Sequence, residues 1–184
     1  GFSNINTYNV NTTLAIGTDD SRLNRTTSGN PVYTFPDAAA NTGKYIGVQN
    51  ATSSDTGLRL LSNGGTIGGC AAAGTTNYVP AYTTIWFQSD GTNWLVFERT
   101  PMFWEFNANG NWYCPPGVYE IEVDGSGSGG SGGGCASGDG TGGTGGSSGE
   151  RCIGKKVTVS PGTQYSVTIG AAVTGSSAAD GTNG

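Results

Sequence analysis

Four cysteines, thirteen carboxylates and a scatter of aromatic residues are the side chains here that could do chemistry or grip a partner, and histidine is absent. Without imidazole there is no Ser-His-Asp triad, no histidine general base and no His-ligated metal. Cys70, Cys114, Cys135 and Cys152 contain no Cys-x-x-Cys pair, so a four-thiolate zinc site lacks a recognised spacing and three disulfide pairings stay open. Among the carboxylates, Asp19-Asp20 falls in a turn context, and Glu120, Glu122 and Asp124 stand two apart, on one face of a strand. Like charges so placed repel unless water reaches them, which makes a solvated acidic row the ordinary reading. A glycosidase needs two acids across a sugar-sized cleft, and spacing along a chain does not show one. The sequence therefore nominates no catalytic residue, no metal ligand and no cofactor.

Binding is the remaining chemistry. Trp86, Trp94, Trp104, Trp112 and Tyr113 are the candidates, because flat aromatic faces stack on sugar rings and partner surfaces with little entropy loss. Their competing use is to fill a core. The net charge of −5 argues against nucleic acid and anionic membrane surfaces, which attract Lys and Arg. No apolar run is long enough to span a bilayer. Matches to Asn-x-Ser/Thr at Asn11, Asn24 and Asn50 are what a chain rich in Asn and Thr gives by chance. The sequence opens on Gly1, which reads as a processed chain or an excised fragment with no visible leader.

The elements that must position these residues are strands. Helical periodicity is missing, and the runs Ala38-Ala39-Ala40 and Ala71-Ala72-Ala73 are too short to overcome helix nucleation. Alternation from Tyr8 to Ile16 predicts a half-buried strand. Short apolar stretches at Val32–Phe35, Tyr45–Val48 and Leu58–Leu61, divided by Asn, Asp, Ser, Gly and Pro clusters, predict a sandwich, prism or β-helix-like stem. Thr83–Gln88 and Trp94–Glu98, joined through Asp90-Gly91, form the clearest hairpin. Thr100-Pro101 marks a boundary, since Pro cannot continue a central strand. The expectation is all-β, with a β-rich stem domain at 1–100 and a glycine-rich domain at 101–184.

Within that second domain, Asn109-Gly110 turns the chain into Trp112 and Tyr113, and Tyr119, Ile121 and Val123 alternate with the acidic row. Residues 125–149 then contain little but Gly, Ser and Thr, before Val157, Val159, Tyr165, Val167 and Ile169 resume the pattern. A flexible linker is one reading of such a block. Gly127, Gly130, Gly133 and Gly140, Gly143, Gly146, Gly149 recur at a spacing of three, the period of a polyproline II-type helix, which offers a second and ordered reading. Should Cys135 and Cys152 pair, the loop closure would contribute about 3 kcal/mol. The aliphatic supply is thin for 184 residues, and strands so poorly provisioned are expected to borrow burial from neighbouring copies.

The run Trp112-Tyr113-Cys114-Pro115-Pro116-Gly117-Val118-Tyr119-Glu120-Ile121-Glu122-Val123, the glycines, and Val157-Thr158-Val159-Ser160-Pro161-Gly162-Thr163-Gln164-Tyr165-Ser166-Val167-Thr168-Ile169-Gly170 together resemble the glycine-rich module of bacteriophage tail fibres and adhesins. Tyr33-Thr34-Phe35-Pro36-Asp37-Ala38 and Ser89-Asp90-Gly91-Thr92-Asn93-Trp94 also look like phage fibre sequence. The resemblance implies a homotrimeric, non-enzymatic virion protein, extracellular once assembled in the host cytoplasm. Its partners would be other tail or fibre proteins and a bacterial surface glycan or outer-membrane protein. Four thiols kept reduced in that cytoplasm are then the alternative to a Cys135–Cys152 disulfide. A purely structural fibre, head-spike or baseplate protein and a polysaccharide-degrading tailspike are the competing roles.

Overall fold

The structure is a computed structural model that describes residues 5–20, 22–133 and 145–171. Nearly every regular element is a strand, as the sequence predicts. The chain forms two compact units, Gly1–Glu105 with Asn111–Tyr119 and Thr158–Tyr165, and Phe106–Gly110 with Glu120–Val157 and Ser166–Gly184.

In the first unit the chain winds between two sheets. Strands β1 (Ile5–Thr7), β3 (Leu23–Thr26) and β5 (Tyr45–Asn50) stack in parallel in one sheet, while β2 (Thr12–Thr13), β4 (Val32–Phe35) and β6 (Arg59–Ser62) stack in parallel in the other. Each winding places one strand in each sheet, giving a three-turn parallel coil. The hairpin β7 (Thr83–Ser89) and β8 (Trp94–Arg99) then extends the first sheet antiparallel, in the order β1-β3-β5-β7-β8. At its turn Gly91 takes φ +90°, a left-handed conformation open to glycine. The N–H groups of Asn93 and Thr92 bond the Asp90 carboxylate, holding its pKa below the usual range.

The predicted strand from Tyr8 to Ile16 is corrected. The chain bends between β1 and β2 because it is crossing from one sheet to the other. Asn9 and Asn11 make that corner: the Asn9 side-chain oxygen accepts from the Thr27 and Ser28 N–H groups, and that of Asn11 from Val32 N–H.

The core lies between the sheets. Tyr33, Phe35 and Leu60 meet Ile46, Val48, Ile85, Phe87 and Trp94, with Leu14, Leu58, Ile67, Cys70 and Val79 closing the sides. Phe35 stands edge-on to both Phe87 (5.2 Å) and Trp94 (5.3 Å), an arrangement aromatic quadrupoles favour. Where the aliphatic supply runs out, buried asparagines span the windings. Asn24 Nδ2 donates to Gly47 O and Asp19 O, both at 3.0 Å, and Asn50 Nδ2 donates to Ser54 O and Val79 O, both at 2.8 Å. Asn77 Nδ2 reaches Ala71 O at 2.6 Å. Each of these buried amides thus finds its acceptors in backbone carbonyls of the fold.

Strands β9 (Gly110–Tyr113) and β12 (Gln164–Val167) make a two-stranded sheet. In the second unit β10 (Glu120–Ser126) pairs with β11 (Arg151–Thr158), crossed by the exposed Lys156–Glu120 ion pair at 2.9 Å. Both strands are exposed along most of their length. Beyond them, the glycine arms touch backbone to backbone: Gly127 N donates to Glu150 O at 2.7 Å, and a Cβ on Gly149 or Gly146 would strike the carbonyl oxygen of Gly127 or Gly130. A Cβ on Gly129 would likewise strike the carbonyl oxygen of Ser147. The rest of the block, 134–144, lies outside the described residues, and Cys135 with it.

Candidate functional site: a groove at the edge of β8

Strand β8 has four consecutive apolar residues, Trp94-Leu95-Val96-Phe97, where a half-buried strand would alternate. Their burial alternates all the same: Trp94 is buried and Val96 half-buried, while Leu95 and Phe97 are exposed. Val96 lies opposite Phe87 and Glu98 opposite Trp86, so Phe97 is the extra residue of a β-bulge. The bulge ends the alternation after Phe97, so that Phe97, Glu98 and Arg99 are exposed in succession. Phe97 is turned outward, 63% exposed, and its ring stands 5.4 Å from that of Tyr45, edge to face. Leu95 is also exposed.

A groove of about 470 Å³ runs along this edge, lined by Leu95 to Arg99, Gly68, Gly69, Gly117 and Tyr119. Its floor is set by glycine. The N–H of Gly68 bonds Trp94 O, and that of Gly117 bonds Gly68 O, each at 2.7 Å. Gly117, at φ +74°, follows Pro115-Pro116, and a Cβ there would lie 2.6 Å from a Val96 methyl. Any larger residue would lift the turn off β8. Tyr119, 58% exposed, forms part of the opposite wall. Arg99 donates through Nη1 to Gly117 O at 2.6 Å, which fixes its guanidinium at the groove and leaves other N–H groups to bind. Glu98 adds a carboxylate beside it.

The residues singled out in the sequence are divided by the fold. Trp94 is 0% exposed and donates Nε1 to Pro36 O at 2.9 Å, so it anchors the core and offers no surface. Trp86 is buried across Gly47, where a Cβ would sit 2.6 Å from the indole. Trp104, Trp112 and Tyr165 come together, with Trp112 5.5 Å from the one ring and 5.6 Å from the other. Trp112 is 6% exposed, and Tyr113 stacks edge-on against Tyr78 at 5.0 Å. Phe97, Tyr119, Glu98 and Arg99 were not singled out, although the period of two from Trp94 places Phe97 on the outward face with Leu95.

Cys70 and Cys114 are buried free thiols, and burial raises their pKa values to about 12 and about 11. Such thiols are poor nucleophiles. Cys152 Sγ faces Val123 O at 3.9 Å, and the proposed partner Cys135 lies outside the described residues. Among the described residues, no group of three or more Cys, Asp or Glu could hold a metal ion, and no helix is long and apolar enough to cross a membrane. No family model, no curated protein and no solved structure matches this chain.

Proposed function

We propose that this chain is a component of a bacteriophage tail fibre that attaches the virion to the bacterial surface by non-catalytic binding. The observation that carries the reading is the groove at β8, where exposed Phe97 and Tyr119 stand with Glu98 and Arg99 around a base that includes Gly68 and Gly117. A recognition site needs apolar faces with a few fixed polar groups, and this edge supplies both. Attachment needs no reactive group, since weak contacts repeated over several copies multiply into firm adhesion. Support for a homotrimer comes from the second unit, whose Val123, Ile153, Val157 and Ile169 are exposed and would gain burial from neighbouring copies. The proposed setting is the extracellular virion, after assembly in the host cytoplasm.

Adsorption tests the reading. Purified protein is expected to bind cells of the phage's host and to slow phage adsorption in competition. Protein that neither binds cells nor competes would favour a purely structural place in the fibre, head spike or baseplate. Release of sugar from host glycan would instead indicate a tailspike.

A further inference from the structure

We infer that the groove along β8 is a subsite for a neutral saccharide, a deepening that rests on the attachment reading. Its volume of about 470 Å³ is in the range of small-molecule sites and suits one or two sugar rings. Phe97 and Tyr119 are rings held in place at the groove with exposed surface, and an aromatic ring takes the C–H face of a pyranose with little entropy loss.

The polar groups are those a diol requires. The Glu98 carboxylate only accepts and the Arg99 guanidinium only donates, and sugar hydroxyls, which do both, bond to either group. The bond from Arg99 to Gly117 O fixes the donor before the ligand arrives. Glu98 and Arg99 give the groove lining one charge of each sign and no net charge to select an ionic ligand. The overall charge of −5 disfavours acidic polymers further. Gly68 and Gly117 matter because a Cβ on either would strike Pro116 or Val96, so glycine lets the 115–117 turn pack against β8 and form the base of the groove.

Calorimetric titration of the full chain with neutral hexoses and disaccharides, beside sialic acid and uronic acids, tests the assignment. Neutral sugars are expected to bind with a Kd of roughly 1–10 mM, weak singly and sufficient when multiplied. Phe97→Ala and Tyr119→Ala should each weaken binding by about tenfold, and Glu98→Gln should weaken it without altering the thermal melt. Trp104→Ala should bind as wild type does. Absence of neutral-sugar binding, preference for acidic sugars, or wild-type affinity in Phe97→Ala would each overturn the inference. Cell adsorption that persists without sugar binding would overturn the saccharide and leave attachment standing, through a protein receptor. Sugar binding without cell adsorption would do the reverse.

Discussion

The two units manage a shortage of aliphatic residues in opposite ways. The first closes a core of its own: Phe35, Phe87 and Trp94 interlock between two sheets, and Asn24, Asn50 and Asn77 bond the carbonyls that apolar packing leaves over. The second has a ribbon, β10 and β11, exposed along most of both strands, and glycine arms in contact through backbone alone. A two-stranded ribbon is marginal in water by itself. Self-sufficiency therefore differs sharply within one chain, and the proposed recognition groove sits on the self-sufficient side, where rigid strands can hold Phe97 and Arg99 in place.

Substitutions sharpen that contrast, beginning with the core. Phe87→Ala removes a fully buried ring and should cost about 3–5 kcal/mol, read as a steep fall in the calorimetric melt of the first unit. The matched change Ile153→Ala, at an exposed position, should leave that melt in place. Next, Asn50→Ala strips the partner from Ser54 O and Val79 O and should cost about 2–3 kcal/mol in denaturant titration, because buried carbonyls are left unpaired.

Alkali should also act on the first unit. Burial keeps Cys70 and Cys114 protonated to about pH 12 and about pH 11 in the folded chain, while the unfolded chain loses both protons near the ordinary thiol value. The unfolded state then binds fewer protons, so stability is full below that value and falls as pH rises through it, by roughly 1 kcal/mol per pH unit for each thiol. Cys70→Ala should flatten the slope.

Smaller effects are confined to the second unit. Gly149→Ala drives a methyl into Gly127 O, whereas Gly125→Ala meets nothing within 4 Å. Only the former should speed hydrogen exchange at Gly127 N–H. Lys156→Gln breaks an ion pair exposed at both ends, and its melt should coincide with wild type, because solvent screens such pairs.

Much of the first unit was legible in the sequence, because its strands follow the period of two. The hairpin declared itself through Asp90-Gly91, and Val32–Phe35 and Tyr45–Val48 through apolar stretches between turn residues. The break between β1 and β2 was hidden, since Asn9 and Asn11 fit a polar strand face as well as a corner. Their part is visible only where Thr27, Ser28 and Val32 bond to them. The buried asparagines were hidden for a similar reason: Asn24 and Asn50 look like surface residues until a winding brings Gly47 and Val79 against them. Aromatic type alone did not separate core from surface: Trp94 is the heart of the core, whereas Phe97 is exposed on the outward face of β8 beside Leu95.

The contrast between the units is tested most directly by native-state hydrogen exchange at low and high protein concentration. The account predicts that β5 and β7 stay protected at every concentration, while β10 and β11 are protected only where copies associate. Equal, concentration-independent protection of both regions would contradict it.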